Sequence, residues 1–249
     1  MMTIELVNGA YDTWIFPGGE INVRVVVAEP RSHIKAIIRN SEDIIRLLLL
    51  CDALKRANSK ITILSIPYFP YARQDRVCNT GESLSVKVMA DLINSIGAEC
   101  VRLTDPHSDV LPALINNCEI MDIKAYGLLD VIGDKLIVCP DAGAEKRILK
   151  LKRPYVMATK VRDVATGDIL ETKLYGDVNG RDCIIVDDIC DGGRTFIELA
   201  KVLRKAGAKN IDLYVTHGIF SKGLSVFEGI LDNIYHYNYV TGVVEKCSS

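Results

Sequence analysis

Between Cys183 and Phe196 the chain reads Cys-Ile-Ile-Val-Asp-Asp-Ile-Cys-Asp-Gly-Gly-Arg-Thr-Phe. Ile184, Ile185 and Val186 form an apolar run of the length of a buried strand, ending in the carboxylates of Asp187 and Asp188. The turn Asp191-Gly192-Gly193-Arg194-Thr195 follows, after which Phe196, Leu199, Ala200 and Leu203 recur at helical spacing. Strand, glycine turn and helix in that order aim backbone N–H groups out of a helix N-terminus, a natural seat for a phosphate. A purely structural turn, with Asp191 as N-cap, accounts for the glycines. It does not account for two adjacent carboxylates, which repel unless something cationic or hydroxyl-rich lies between them. Such a pair could hold sugar hydroxyls or a metal. Strand C-termini are also the ligand-binding edge of open α/β sheets.

Around this segment, short apolar runs alternate with helix-period stretches. Strands are predicted at 22–28, 61–66, 101–104, 136–138, 183–186 and 211–216, and helices at 42–57, 86–96, 144–151 and 196–206. This alternation predicts parallel sheets covered by helices. Ala90, Gly97, Ala98 and His107 recur at one constant offset as Ala200, Gly207, Ala208 and His217. Each set spans a helix, a Gly-Ala stop and a strand. We therefore expect an α/β protein of two similar domains, each a mainly parallel sheet flanked by helices. The junction falls near 126–130, giving domains 1–127 and 128–249, a size that 249 residues with 49% apolar content supports.

Charge narrows the partners. Lys and Arg total 30 against 32 Asp and Glu, for a net charge of −2. No basic run appears, which argues against nucleic acid as the main partner. Local clusters such as Arg73/Arg76 and Lys146/Arg147/Lys150 suit small phosphates. None of the eight cysteines has Cys-x-x-Cys spacing, and Cys51, Cys100, Cys139 and Cys183 sit in apolar surroundings, so reduced, buried thiols are expected. The start lacks the pattern of a signal peptide, and Leu47–Leu50 is far too short to span a bilayer. A soluble cytoplasmic protein without membrane contact is the expectation.

A second cluster lies at 66–94. Tyr68-Phe69-Pro70-Tyr71 follows a predicted strand and leads into Arg73-Gln74-Asp75-Arg76. The bland alternative makes the aromatics a core plug and the arginines a solvated face. Two arginines bracketing Gln and Asp beside stiffening prolines look instead like a clamp for a polyphosphate and a purine edge.

Taken together these segments resemble a known family. Residues 183–196 resemble the phosphoribosyl-diphosphate (PRPP) loop of type I phosphoribosyltransferases and of ribose-phosphate pyrophosphokinases. Residues 71–76 resemble the ATP-binding Tyr-Ala-Arg-Gln-Asp-Arg segment that the pyrophosphokinases carry and ordinary phosphoribosyltransferases lack. The resemblance implies that Asp187 and Asp188 hold ribose hydroxyls, and that the 191–195 turn (Asp191, Gly192, Gly193, Arg194, Thr195) grips the 5-phosphate. Arg73, Gln74, Asp75 and Arg76 would bind ATP. Asp105-Pro106-His107 stands where the family has Asp-Leu-His, and Pro140-Asp141-Ala142-Gly143 resembles Pro-Asp-x-Gly. On that resemblance His107 and Asp141 hold Mg²⁺ on ATP, although ligand chemistry alone favours oxygen over histidine for this ion. Lys160 and Arg162, ahead of a polar loop at 163–167, match a catalytic Lys-x-Arg. Two cations on a mobile loop can neutralise charge on a phosphoryl group in flight. Phe16-Pro17-Gly18-Gly19-Glu20 is similar to the family's Phe-Ser-Asp-Gly-Glu loop, which reaches the adenine on a neighbouring subunit; Gly18 replaces its aspartate.

The resemblance therefore implies a homo-oligomeric, dimeric or hexameric, Mg²⁺-dependent enzyme. It would transfer the diphosphoryl group of ATP to the 1-hydroxyl of ribose 5-phosphate. Arg194 departs from the usual Asp-Thr-Gly-Gly-Thr loop, and such a change could admit a larger ribose phosphate such as ADP-ribose. A PRPP-consuming phosphoribosyltransferase and a non-catalytic regulatory homologue are the remaining alternatives.

Overall fold

The computed structural model describes residues 4–121, 127–162, 169–239 and 241–247, with the backbone alone for 160–162 and 169–171. The chain divides into two compact units, Met1–Asp122 and Ile123–Ser249. Each is an α/β domain. Part of the predicted junction, including Tyr126, lies outside the described residues.

The first unit runs β1 (Ile4–Leu6), β2 (Gly9–Ile15), β3 (Ile21–Ala28), β4 (Arg31–Ala36), α1 (Ser41–Arg56), β5 (Lys60–Ile66), α2 (Ser85–Ile96), β6 (Val101–Thr104), α3 (Val110–Leu114) and β7 (Cys118–Met121). Its main sheet has the order β1-β4-β5-β6-β7, parallel from β4 to β7, with β1 antiparallel at one edge. β2 and β3 pair as a separate antiparallel hairpin. α1 forms because Asn40 caps it, its side chain accepting from the Asp43 amide. Acids Glu42 and Asp43 in the first turn and bases Lys55 and Arg56 in the last complement its dipole. Ile44, Leu47, Leu50, Cys51 and Leu54 form its buried stripe, each fully buried leucine stabilising the fold by about 1.5–3 kcal/mol.

The second unit runs α4 (Leu128–Ile132), β8 (Leu136–Cys139), α5 (Ala142–Leu149), β9 (Tyr155–Arg162), β10 (Ile169–Tyr175), β11 (Cys183–Cys190), α6 (Arg194–Lys205), β12 (Ile211–Gly218), β13 (Asn233–Tyr237) and β14 (Val244–Lys246), with a 3₁₀ turn at Ser225–Phe227. The sheet order is β10-β9-β8-β11-β12-β13-β14, parallel from β9 to β13 and antiparallel at both edges. β11 is central, which explains its unbroken apolar run. Cys183 and Ile185 enter one core with Leu199 and Leu203 of α6, while Ile184 and Val186 enter the other with Ala144 and Ile148 of α5.

The two units share one βαβ element. β5 and β6 are parallel neighbours joined through α2, as β11 and β12 are through α6. Both helices stop at a left-handed glycine, Gly97 at φ 70° and Gly207 at φ 91°. The echo fails at the histidines. Asp105 takes φ 42° and Pro106 has no N–H to extend the ladder, so β6 ends at Thr104 and His107 is exposed. β12 instead runs through His217, which is buried and bonded through Nδ1 to the Tyr239 hydroxyl.

All eight cysteines are free. Burial pushes the Cys51, Cys139 and Cys190 thiols up to about 12, so they stay protonated at neutral pH. Cys100 departs from the buried expectation: it is half-buried and its Sγ donates to Glu119 Oε2 at 3.3 Å. No helix among the described residues is long and apolar enough to cross a membrane.

Candidate active site

In the second unit the predicted residues gather at the carboxyl edge of the sheet. The aspartate pair lies inside β11, not past its end as the apolar run alone suggested. The strand continues because β12 keeps pairing with it, Ile189 opposite His217 and Cys190 opposite Gly218. On the other side β8 pairs only with Cys183–Ile185. The Asp187–Cys190 stretch therefore projects past β8, supported from one side.

The pair has a built-in counter-ion. Arg147 of α5 is buried, with Nη1 3.5 Å from Asp187 Oδ1 and Nη2 3.8 Å from Asp188 Oδ2. The Asp188 amide donates to Asp187 Oδ1 at 2.8 Å. Burial pushes Asp187 well above the usual carboxylate range, the charge and hydrogen bond of Asp188 add to this, and Arg147 pulls the other way. The sequence suggested Arg147 as part of a local cluster, Lys146/Arg147/Lys150, suited to small phosphates. The fold turns it inward as the cation between the acids. Its position six residues into α5 carries no local signal of that role.

The turn after β11 is not capped as the structural alternative required. The N-cap of α6 is Gly193, at φ 77°, and no side chain closes the cap. Glycine is obligatory there: a Cβ would also collide with the Phe227 ring. The Arg194 side chain pairs along α6 with Glu198, Nε to Oε1 2.7 Å. That i,i+4 pairing was readable from the sequence.

Asp141 follows β8 and caps α5, its Oδ1 accepting from the Gly143 and Ala144 amides at 3.0 and 3.2 Å. Lys160 and Arg162 stand at the carboxyl end of β9, which runs parallel to β8. β8 pairs only with Tyr155–Met157, so beyond Met157 β9 pairs with β10 alone, as a two-stranded arm. The Lys160 and Arg162 side chains and the predicted loop at 163–167 lie outside the described residues.

In the first unit, the loop at 67–84 fills the place between β5 and α2 that the glycine turn fills between β11 and α6. Phe69 and Ala72 plug the core, while Tyr71, Arg73, Gln74 and Arg76 are exposed. Arg76 Nε lies 3.1 Å from Asp75 Oδ1. Burial alone would raise Asp75, but hydrogen bonds from Ser108 and Arg76 and the charges of Arg76 and His107 hold it below the usual range. The structure thus brings the Arg73–Arg76 and His107 segments together. Phe16-Pro17-Gly18-Gly19-Glu20 forms the β2–β3 turn, closed by Phe16 N to Glu20 O and Gly19 N to Phe16 O, each 2.8 Å. Phe16 is exposed and packs edge-on against Trp14, with ring centroids 6.0 Å apart. A side chain at Gly18 would meet nothing nearer than 3.8 Å, so the turn does not exclude a carboxylate there.

Comparison with known proteins identifies the family. The model of the N-terminal domain of ribose phosphate pyrophosphokinase matches residues 8–97, and that of the phosphoribosyl synthetase-associated domain matches 153–246. A ribose-phosphate pyrophosphokinase of Corynebacterium efficiens is 32% identical over 224 residues, 83% of this chain and 68% of the relative. That of Thermosipho africanus is 34% identical over 225 residues, 84% of this chain and 70% of the relative. The chain belongs to the ribose-phosphate pyrophosphokinase family. It spans 66% of the relative from Mycoplasmopsis pulmonis, at 34% identity over 212 residues. The crystal structure of phosphoribosylpyrophosphate synthetase from Mycobacterium smegmatis superposes with a TM-score of 0.78 at 25% identity, covering 93% of this chain and 80% of that one.

One cavity, about 330 Å³, is outlined by Ile132, Gly133, Asp134, Lys135, Arg181 and Asp182. These residues precede β8 and β11, at the amino edge of the sheet, opposite the aspartates.

Proposed function

We propose that this protein transfers the β,γ-diphosphoryl group of ATP to the 1-hydroxyl of ribose 5-phosphate, giving PRPP and AMP. One observation carries this reading: a paired aspartate on a projecting strand end leads directly into an uncapped glycine turn at a helix N-terminus. The pair suits a vicinal diol and the turn amides suit a phosphate monoester, the two functions of one sugar phosphate.

Asp187 and Asp188, oriented by Arg147, accept from the ribose 2- and 3-hydroxyls. The turn from Asp191 to Thr195 fixes the 5-phosphate. Arg73, Gln74, Asp75 and Arg76 hold ATP. The sugar's anomeric oxygen forms its bond to the β-phosphorus as the bond from that phosphorus to the α-phosphate oxygen breaks, releasing AMP. Lys160 and Arg162 neutralise the charge spread over the transferring group. Catalysis rests on positioning and electrostatics, without a covalent enzyme intermediate.

Mg²⁺ is the proposed cofactor. Among the described residues no cluster of three or more His, Cys, Asp or Glu side chains assembles. That fits Mg²⁺, which keeps waters and substrate phosphates as ligands rather than a protein cage. His107 and Asp141 are each proposed as protein contacts for it, and the ion would supply charge neutralisation to the transferring phosphoryl group. Exposed Trp14, Ile15 and Phe16 on the β2–β3 hairpin suit contact with a second copy, so a homo-oligomer is proposed. Free thiols throughout suit a cytoplasmic setting.

The test pairs two acceptors. ATP and Mg²⁺ are supplied with ribose 5-phosphate or with ADP-ribose, and AMP and the phosphorylated sugar are quantified. AMP and PRPP should form with ribose 5-phosphate and cease on chelation of the metal. AMP formation with ADP-ribose alone would overturn the acceptor assignment, and PRPP-dependent base ligation without ATP would overturn the reaction.

A further inference from the structure

We infer that Lys222 is the cation that clamps the acceptor's phosphate onto the 191–195 turn, and thereby sets the site's preference for a phosphorylated sugar. The inference rests on the proposed seating of the sugar phosphate at that turn. Lys222 lies outside every segment that the sequence marked as functional.

The geometry begins with strand register. β11 and β12 pair to their ends, Cys190 opposite Gly218, so the segments leaving them start side by side. The Ile219 and Phe220 amides both donate to the Cys190 carbonyl, at 2.9 and 3.1 Å, binding the second segment to the base of the turn. The Gly223 amide donates to the Phe220 carbonyl at 2.8 Å and closes a tight bend around Lys222. From that bend the Lys222 stem crosses the turn. Its Cε and Cδ lie 3.6 and 3.8 Å from where a Cβ of Gly192 would stand, so the lysine stem runs alongside the turn within van der Waals reach.

Charge gives this placement its meaning. Asp187, Asp188 and Asp191 put three carboxyl groups on the segment that leads into the turn. Arg147 is paired with Asp187 and Asp188, and Arg194 with Glu198. Lys222 is exposed, and among the described residues no hydrogen bond or ion pair engages its ammonium. An ordinary surface lysine would share that freedom. This one has its stem on the glycine turn, beside helix amides that no side chain caps, where a phosphate would accept from both.

The test measures binding by titration calorimetry, without turnover. Ribose 5-phosphate is titrated into the full chain, the Lys222→Ala and Lys222→Arg variants, and Lys201→Ala, which removes an exposed lysine of α6. Lys222→Ala should weaken binding about ten- to hundred-fold, Lys222→Arg should restore most of it, and Lys201→Ala and ATP binding should be unchanged. Inorganic phosphate, used as competitor, should lose potency in parallel. A Lys222→Ala variant within about twofold of wild type overturns the inference. Wild-type protein that binds ribose 5-phosphate but fails to turn it over with ATP would overturn the transfer reaction and leave Lys222 standing. Binding no tighter than that of unphosphorylated ribose would overturn both.

Discussion

Replacing Arg147 with methionine tests whether the aspartate pair depends on a buried counter-ion. Methionine keeps most of the stem's volume and removes the charge. At 3.5 and 3.8 Å and an effective dielectric of about 20, each attraction to a carboxylate is worth about 4–5 kcal/mol gross. Desolvation of the guanidinium offsets part of this, leaving an expected loss of about 3–5 kcal/mol when the acids are charged. The loss must depend on pH. Asp187 has a native pKa above its ordinary 3.8, so its contribution to stability is complete below that value and declines as pH rises through the native one. Removing Arg147 raises the native pKa further and carries the decline to higher pH. The variant's deficit should therefore be larger at pH 8 than at pH 5, because protonation of Asp187 removes one of the two charges the arginine neutralises. Trp14, the sole tryptophan, lies in the first unit, so hydrogen exchange at the β11 amides is the suitable readout. Adding Asp187→Asn should recover most of the loss near pH 8. Equal deficits at the two pH values, or no recovery in the double variant, would refute the counter-ion account.

Two further outcomes are expected. Gly193→Ala should destabilise the second unit by more than about 1 kcal/mol and weaken ribose 5-phosphate binding, because its φ of 77° is strained and its Cβ meets Phe227; thermal unfolding and calorimetry check both. Lys160→Ala should lower turnover by about two orders of magnitude or more while sparing ATP affinity, and unchanged turnover in a steady-state assay would remove its assigned role.

Much of the molecule is legible locally. The apolar run Ile184–Val186, the left-handed stops at Gly97 and Gly207, and the stripe of Phe196, Leu199, Ala200 and Leu203 each declare an element through short-range chemistry. The loop at 67–84 could be placed between a strand and a helix for the same reason. The edge strands β1 and β14 and the arm partner β10 were not read, because short strands at sheet edges take their identity from a neighbour distant in the chain. The Arg194–Glu198 pair was available at helical spacing.

What the amino-acid order determined by itself was therefore the class of fold and the chemistry on offer: paired acids, a glycine turn, and arginines on a loop. Tertiary structure decided which charges meet. Pairing with β12 carried β11 beyond its apolar run and lifted Asp187 and Asp188 past the reach of β8. Packing of α5 put Arg147 beneath the acids, and the register of Cys190 with Gly218 laid Lys222 across Gly192. Each is a contact between segments far apart in sequence, and Coulomb's law acts on distance in space, which no local pattern of residues encodes.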